Sequence, residues 1–164
     1  MDIFDLDDTI VDSHLAFERL LKDIALEQYQ MSLTTEQIDQ NWGLPVDKYL
    51  RALFGIEDTS KMIELIRIKN QEEEYKRALL TGVRHMLDQM ISRGIKLSIL
   101  SGGSGLVSRP TLEDLLGDYD KYFDSLYFSE DTEPYYKPDS RVFGHLISNY
   151  QSMQIFTDKM LYIG

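Results

Sequence analysis

The stretch VRHMLDQMISRGIKLSILSGGS, residues 83–104, contains a helix pattern, a strand pattern and the break between them. Val83, Met86, Leu87, Met90 and Ile91 recur at the three- and four-residue intervals of a single helix face. Gly94 stands where a helix ends in a left-handed residue, and the apolar run from Ile95 to Leu100 follows at once as a strand. Ser101-Gly102-Gly103-Ser104 ends that run in a turn. The same alternation continues toward the C-terminus: Leu112, Leu115 and Leu116 mark a helix, Ser125 to Phe128 a strand, Val142, Leu146 and Ile147 a further helix, and Lys159 to Ile163 a strand. On the N-terminal side Asp2-Ile3-Phe4-Asp5-Leu6 is the first strand, terminated by the polar Asp7-Asp8-Thr9. Strands separated by helices of crossover length predict an α/β fold, a parallel sheet covered on both faces with right-handed connections.

The segment after the first strand reads differently. Phe17, Leu20, Leu21, Ile24 and Ala25 share one helix face, with Ser13 available as N-cap. Thr34-Thr35-Glu36-Gln37 reads as a capping box opening a second helix, and Pro45 suits the first turn of a third. Met62, Ile63, Leu65 and Ile66 begin a fourth, which runs into the charged Gln71-Glu72-Glu73-Glu74, a solvated face. The expected organisation is an α/β core of residues 1–13 and 81–164 interrupted by an all-helical cap, residues 14–80. Gly105 to Pro110 is expected to delay the helix that follows Ser101.

Composition narrows the function classes. The chain has 164 residues, room for one core with an insertion, and 17 Lys+Arg against 28 Asp+Glu give a net charge of −11. That field disfavours nucleic acid and anionic membrane surfaces as partners. There is no cysteine, so disulfide scaffolds and thiolate metal sites are excluded. With no apolar run of membrane-spanning length and no signal-like N-terminus, the expected location is cytoplasmic.

In open parallel sheets ligands gather beyond the carboxyl ends of the strands, which here carry Asp5 and Asp7, Ser101 and Gly102, and the loop holding Lys137. Because strand side chains repeat every two residues, Asp5 and Asp7 are aimed to the same side. Asp-x-Asp alone is common in acidic chains. The longer string Ile3-Phe4-Asp5-Leu6-Asp7-Asp8-Thr9-Ile10-Val11-Asp12-Ser13 resembles the first motif of haloacid dehalogenase-type phosphatases. Leu97-Ser98-Ile99-Leu100-Ser101 resembles the family's second motif, and Tyr136-Lys137-Pro138-Asp139, continued by Arg141-Val142-Phe143, its third. The resemblance extends over essentially the full length, on the side of the phosphoglycolate phosphatase and β-phosphoglucomutase branches, and implies a Rossmann-like parallel sheet core with an inserted helical cap.

What the resemblance implies chemically agrees with elementary electrostatics. A carboxylate is ionised at neutral pH and needs no base to act as a nucleophile, the role implied for Asp5. Each unit-charge pair between carboxylate and phosphate costs about 4 kcal/mol at about 4 Å and an effective dielectric near 20. Lys137 and a Mg²⁺ held by Asp5 and the backbone carbonyl of Asp7 are the implied offsets. Asp7 is then the acid and base, while Ser101 and Gly102 hold the phosphoryl oxygens. Asp8 stands where many relatives have Gly, and Asp tolerates the left-handed conformation.

The expected substrate is a small phosphorylated metabolite, with Trp42, Gly43 and Lys48 as the candidate substrate segment of the cap. His14, His85 and His145 have no metal-ligand spacing. Sugar-phosphate mutase activity, or phosphate binding without catalysis, are the rival functions. Met160 to Gly164 resembles the strand preceding the family's fourth motif, whose acidic metal ligands would come next. We therefore expect the sequence to be a truncated or incompletely recorded form of a longer parent.

Overall fold

Short apolar runs such as Ile3-Phe4 and Leu97 to Leu100 can be buried on both faces as strands of a covered sheet, and the chain places them there. The computed structural model describes residues 1–152 and 157–164. Its elements run β1 (Asp2–Phe4), β2 (Val11–Asp12), α1 (His14–Tyr29), α2 (Thr35–Gln40), α3 (Val46–Phe54), α4 (Ser60–Lys69), β3 (Ala78–Leu79), α5 (Val83–Ser92), β4 (Leu97–Leu100), α6 (Gly105–Leu116), β5 (Ser125–Tyr127), α7 (Ser129–Thr132), α8 (Gly144–Ser152) and β6 (Leu161–Ile163). β1, β4, β5 and β6 form one parallel sheet in the order β5-β4-β1-β6, the expected α/β architecture. Phe4 is in register with both Ile99 and Ile163, so three adjacent strands end level with one another. The strand order reverses at β1, which puts the residues following it at the switch point of the sheet.

Strand alternation sorts the core into two faces. Phe4, Leu97 and Ile99 pack with Leu87, Leu112, Phe123 and Phe128 on the α5/α6 side. Ile3 and Leu100 pack with Val142, Leu146 and Tyr150 on the α8 side. A third cluster joins α1 to α4 through Leu20, Leu21, Ile24, Ile38, Leu50 and Ile66, and Val107 of α6 completes it. Among the described residues no helix is long and apolar enough to cross a membrane.

Three local features depart from expectation. Ala78 and Leu79 form a two-residue strand, antiparallel to β2, that closes the helical segment where it leaves the core. Two residues carry no periodicity, so the pairing left no pattern to read. Ser13 precedes α1, but its hydroxyl does not cap the helix; Oδ1 of Asp8 accepts the N–H groups of both Ser13 and His14 at 3.1 Å. Finally, α6 is not delayed and begins at Gly105. The Ser104 hydroxyl accepts from Leu106 N–H at 3.3 Å, and Glu130 accepts from Gly105 N–H at 2.8 Å. Gly105 is required here, because a Cβ would stand 2.7 Å from the Glu130 carboxylate and 2.9 Å from Phe128. Pro110 lies inside the helix, where it forgoes one backbone hydrogen bond. The capping box of Thr34 and Gln37 forms as read.

Ser98 is a polar residue in a fully buried central strand, and Tyr150 explains it. The Tyr150 hydroxyl lies 2.5 Å from Ser98 Oγ and 3.0 Å from Ser125 Oγ, and the two serines are 2.9 Å apart. This hydroxyl triad ties α8 to β4 and β5. Tyr150→Phe is expected to cost about 1 kcal/mol in urea melts, since each serine keeps one partner. The double variant with Ser98→Ala should cost less than the sum of the singles; strict additivity would mean that the triad is not coupled.

Candidate active site

Asp5 extends β1 by one residue, its N–H donating to the Ile163 carbonyl at 2.8 Å. Its carboxylate is held at both oxygens: Oδ1 accepts Leu6 N–H at 2.8 Å and Oδ2 meets Lys137 Nζ at 2.5 Å. Lys137 also donates to the Tyr162 hydroxyl at 3.1 Å and the Leu100 carbonyl at 3.4 Å. The loop carrying Lys137 is braced from behind. Arg141 donates to both Asp139 oxygens at 2.6 to 3.1 Å, and these hydrogen bonds hold the Asp139 carboxyl down to about 2.

Two residues on, the Asp7 carboxylate has two different neighbours. Oδ2 faces the Ser101 hydroxyl at 3.5 Å, and Oδ1 faces Nη1 of Arg77 at 3.7 Å. Ser101 is buried, and its Oγ accepts Gly103 N–H at 3.0 Å, which folds the loop after β4 back toward Asp7. Gly103 has no room for a side chain without crowding this arrangement, a Cβ there standing 3.1 Å from Ser108, 3.2 Å from Ser101 and 3.5 Å from Asp7. The turn from Asp7 into α1 needs a left-handed residue, and Asp8 supplies it with φ of 57°.

These groups form the floor of a cleft of about 180 Å³. Asp5, Asp7, Gly102, Gly103 and Lys137 line one side; Phe17, Trp42, Gly43, Tyr49, Ile66 and Val107 line the other. The walls touch where Val46 N–H donates to the Gly102 carbonyl at 3.3 Å. Of the residues singled out from sequence, Asp5, Asp7, Gly102, Lys137, Trp42 and Gly43 thus border one cleft, with Ser101 in contact with Asp7. Lys48 does not border it; its ammonium lies 4.0 Å above the Tyr136 ring. His14 pairs with Asp39 at 2.8 Å and packs on Trp42, and His85 contacts Gln89 at 3.0 Å.

Two site residues were not foreseen. Tyr162 positions Lys137 from β6. Arg77 lines the cleft with its side chain only 5% exposed and its guanidinium 5.3 Å above Phe17, and burial pushes its pKa below the usual arginine value. Arg77 lies three residues beyond the solvated Gln71 to Glu74, with no periodic pattern to mark it. Among the described residues no group of three or more His, Cys, Asp or Glu side chains forms a metal cage. The hard oxygen donors on the cleft floor are the Asp5 carboxylate and the Asp7 residue.

The fold has solved counterparts. A predicted phosphoglycolate phosphatase from Haemophilus somnus superposes with a TM-score of 0.73 at 20% identity, covering 100% of this chain and 76% of that one. CbbY from Rhodobacter sphaeroides, solved with phosphate, gives 0.76 at 13% identity over 98% of this chain and 75% of its own. A predicted phosphatase from Clostridium acetobutylicum gives 0.71 at 20% identity, covering 99% and 74%. Comparison with curated proteins finds no match. The family model for haloacid dehalogenase-like hydrolases matches residues 3–164, and with its paired aspartates, serine-glycine loop and lysine brought to one sheet edge, the chain belongs to that family.

Proposed function

We propose that the chain carries the site of a Mg²⁺-dependent phosphatase that hydrolyses a small phosphorylated metabolite through an aspartyl-phosphate on Asp5. The observation that carries this reading is the pairing of Asp5 with Lys137 at 2.5 Å beside a second, less constrained carboxylate, Asp7, on the floor of one cleft. Residues 14–80 act as the cap that supplies the facing wall, over a core of residues 1–13 and 81–164.

The donor set suits the metal. Mg²⁺ keeps several waters and takes one or two carboxylates plus substrate phosphate, so the Asp5 carboxylate and the Asp7 carbonyl form an adequate pair of protein ligands. When bound, the ion would offset phosphate charge that Lys137 alone leaves unbalanced. The protein's own groups account for the bond changes. Hydrogen bonds from Lys137 and from Leu6 N–H fix the Asp5 carboxylate for attack at phosphorus. As the Asp5 oxygen–phosphorus bond forms, the bond from phosphorus to the alcohol oxygen breaks, and Asp7 gives that oxygen its proton. Asp7 then takes a proton from the water that attacks the aspartyl-phosphate, which releases phosphate and restores the Asp5 carboxylate. The Ser101 hydroxyl and the Gly102 amide receive the phosphoryl oxygens, with Gly103 N–H holding Ser101 in place.

Purified protein is expected to hydrolyse p-nitrophenyl phosphate with Mg²⁺ and to lose that activity with chelator. Asp5→Asn should bring turnover to the uncatalysed background while leaving the melting temperature unchanged. Activity that survives this substitution would overturn the assignment of the nucleophile. Lys137→Met, which removes the cation from the nucleophile, should lower kcat by about 10²-fold or more; a change confined to KM would instead make Lys137 a ground-state binding group.

A further inference from the structure

The cations of the cleft are held in unlike ways. Lys137 is fully engaged, with Asp5, Tyr162 and Leu100 around its ammonium. Arg77 is deeper and less satisfied: its side chain is 5% exposed, Nε is buried with no hydrogen-bond partner among the described residues, and Asp7 at 3.7 Å is too far to accept from Nη1. Taking the Arg77 Nε out of water without a hydrogen bond is unfavourable, and a guanidinium kept in that condition at the wall of a cleft is poised for a ligand. A fork of N–H donors matches a carboxylate through two parallel bonds.

Position says which part of a ligand arrives there. One oxygen of Asp7 faces Ser101 and the phosphate loop, and the other faces Arg77. A phosphate ester with phosphorus on the loop and its ester oxygen at Asp7 therefore projects its alcohol portion toward Arg77. Phe17, Trp42, Ile66 and Val107 line the cleft with it, the Tyr49 hydroxyl is turned to the Ile38 carbonyl at 3.4 Å, and the hydroxyls nearby are those of Ser104 and Ser108 on the α6 side.

We propose, building on the assignment of Asp7 as the acid that meets the ester oxygen, that Arg77 is the specificity residue of the cleft. It receives a carboxylate carried next to the ester oxygen, while the aromatic and aliphatic wall receives the remainder, so the preferred substrate is the phosphate ester of an apolar or aromatic hydroxy acid. Arg77 is a binding group for the leaving portion and takes no part in proton transfer.

Calorimetry with two phosphonates that carry a methylene in place of the ester oxygen, benzylphosphonate and 2-(phosphonomethyl)benzoate, tests this without turnover. In Mg²⁺ buffer the carboxylated compound should bind the intact protein about 10- to 100-fold tighter. Arg77→Met should remove that advantage and leave benzylphosphonate affinity within about threefold, well under one tenfold step. Arg77→Lys, which keeps the charge and loses the fork, should fall between. The melting temperature of Arg77→Met should change little, because the desolvated Nε goes together with the 3.7 Å pairing to Asp7 and the contact with Phe17. Equal affinity of the two phosphonates for the intact protein overturns the proposal, as does an equal loss of both in Arg77→Met. Hydrolysis of phenyl phosphate by the same preparations scores the phosphatase reading separately: carboxylate discrimination without turnover supports Arg77 and sinks the phosphatase, and turnover without discrimination does the reverse.

Discussion

Like charge is the constraint around which this site is built. Two carboxylates separated by one residue at the end of a buried strand repel each other, and any phosphate that approaches them adds to the repulsion. The offset comes from other parts of the chain. Lys137 lies between α7 and α8 in sequence, yet its ammonium is fixed by Asp5 beyond β1, the Leu100 carbonyl at the end of β4 and the Tyr162 hydroxyl on β6. A single cation thus depends on three neighbouring strands ending level, which is what the register of Phe4 with Ile99 and Ile163 provides. Sheet order and the geometry of the site are here one requirement.

The second requirement is a wall opposite the floor. The helical segment leaves the core after β2 and returns through β3, and those two strands pair with each other, Val11 with Leu79 and Asp12 with Ala78. The ribbon brings the two connections together at the side of Asp7. At the other end, Val46 bonds to the Gly102 carbonyl, so the segment bearing Trp42 and Gly43 leans on the loop after β4. Held at both places, the helices present apolar side chains to a floor that is almost entirely polar. That asymmetry suits chemistry in which a phosphoryl group stays on one side and the leaving portion lies on the other.

Much of this was legible in the sequence, and for physical reasons. Period-two and period-3.6 patterns register burial, so the four sheet strands and the longer helices declared themselves through Leu97 to Leu100, Val83 to Ile91 and their counterparts. Strand-end position then located Asp5, Asp7, Ser101 and Lys137. What escaped notice was set by contacts that leave no periodic trace. Gly105 opens α6 because Glu130, distant in sequence, caps it and Phe128 leaves no space for a Cβ. Ser98 is tolerated in a buried strand because Tyr150 and Ser125 satisfy its hydroxyl. Lys48, a cation near Trp42 in sequence, is drawn instead to the Tyr136 ring.

Arg77 was hidden for a related reason. It follows the run Gln71 to Glu74, which reads as a solvated face, and Glu72, Glu73, Glu74 and Lys76 are indeed exposed. Only Tyr75 and Arg77 turn inward, Tyr75 to donate to Asp23 at 2.9 Å in the helical cluster and Arg77 to the cleft. Tyr75 ends a single 3-10 turn, Glu73–Tyr75, the backbone is extended from Lys76, and β3 begins at the residue after Arg77. The pairing of Ala78 with Asp12 therefore does more than close the helical segment. It sets the direction from which Arg77 approaches Asp7, and so a ribbon too short to be read from the sequence decides which charge stands beside the apolar wall of the cleft.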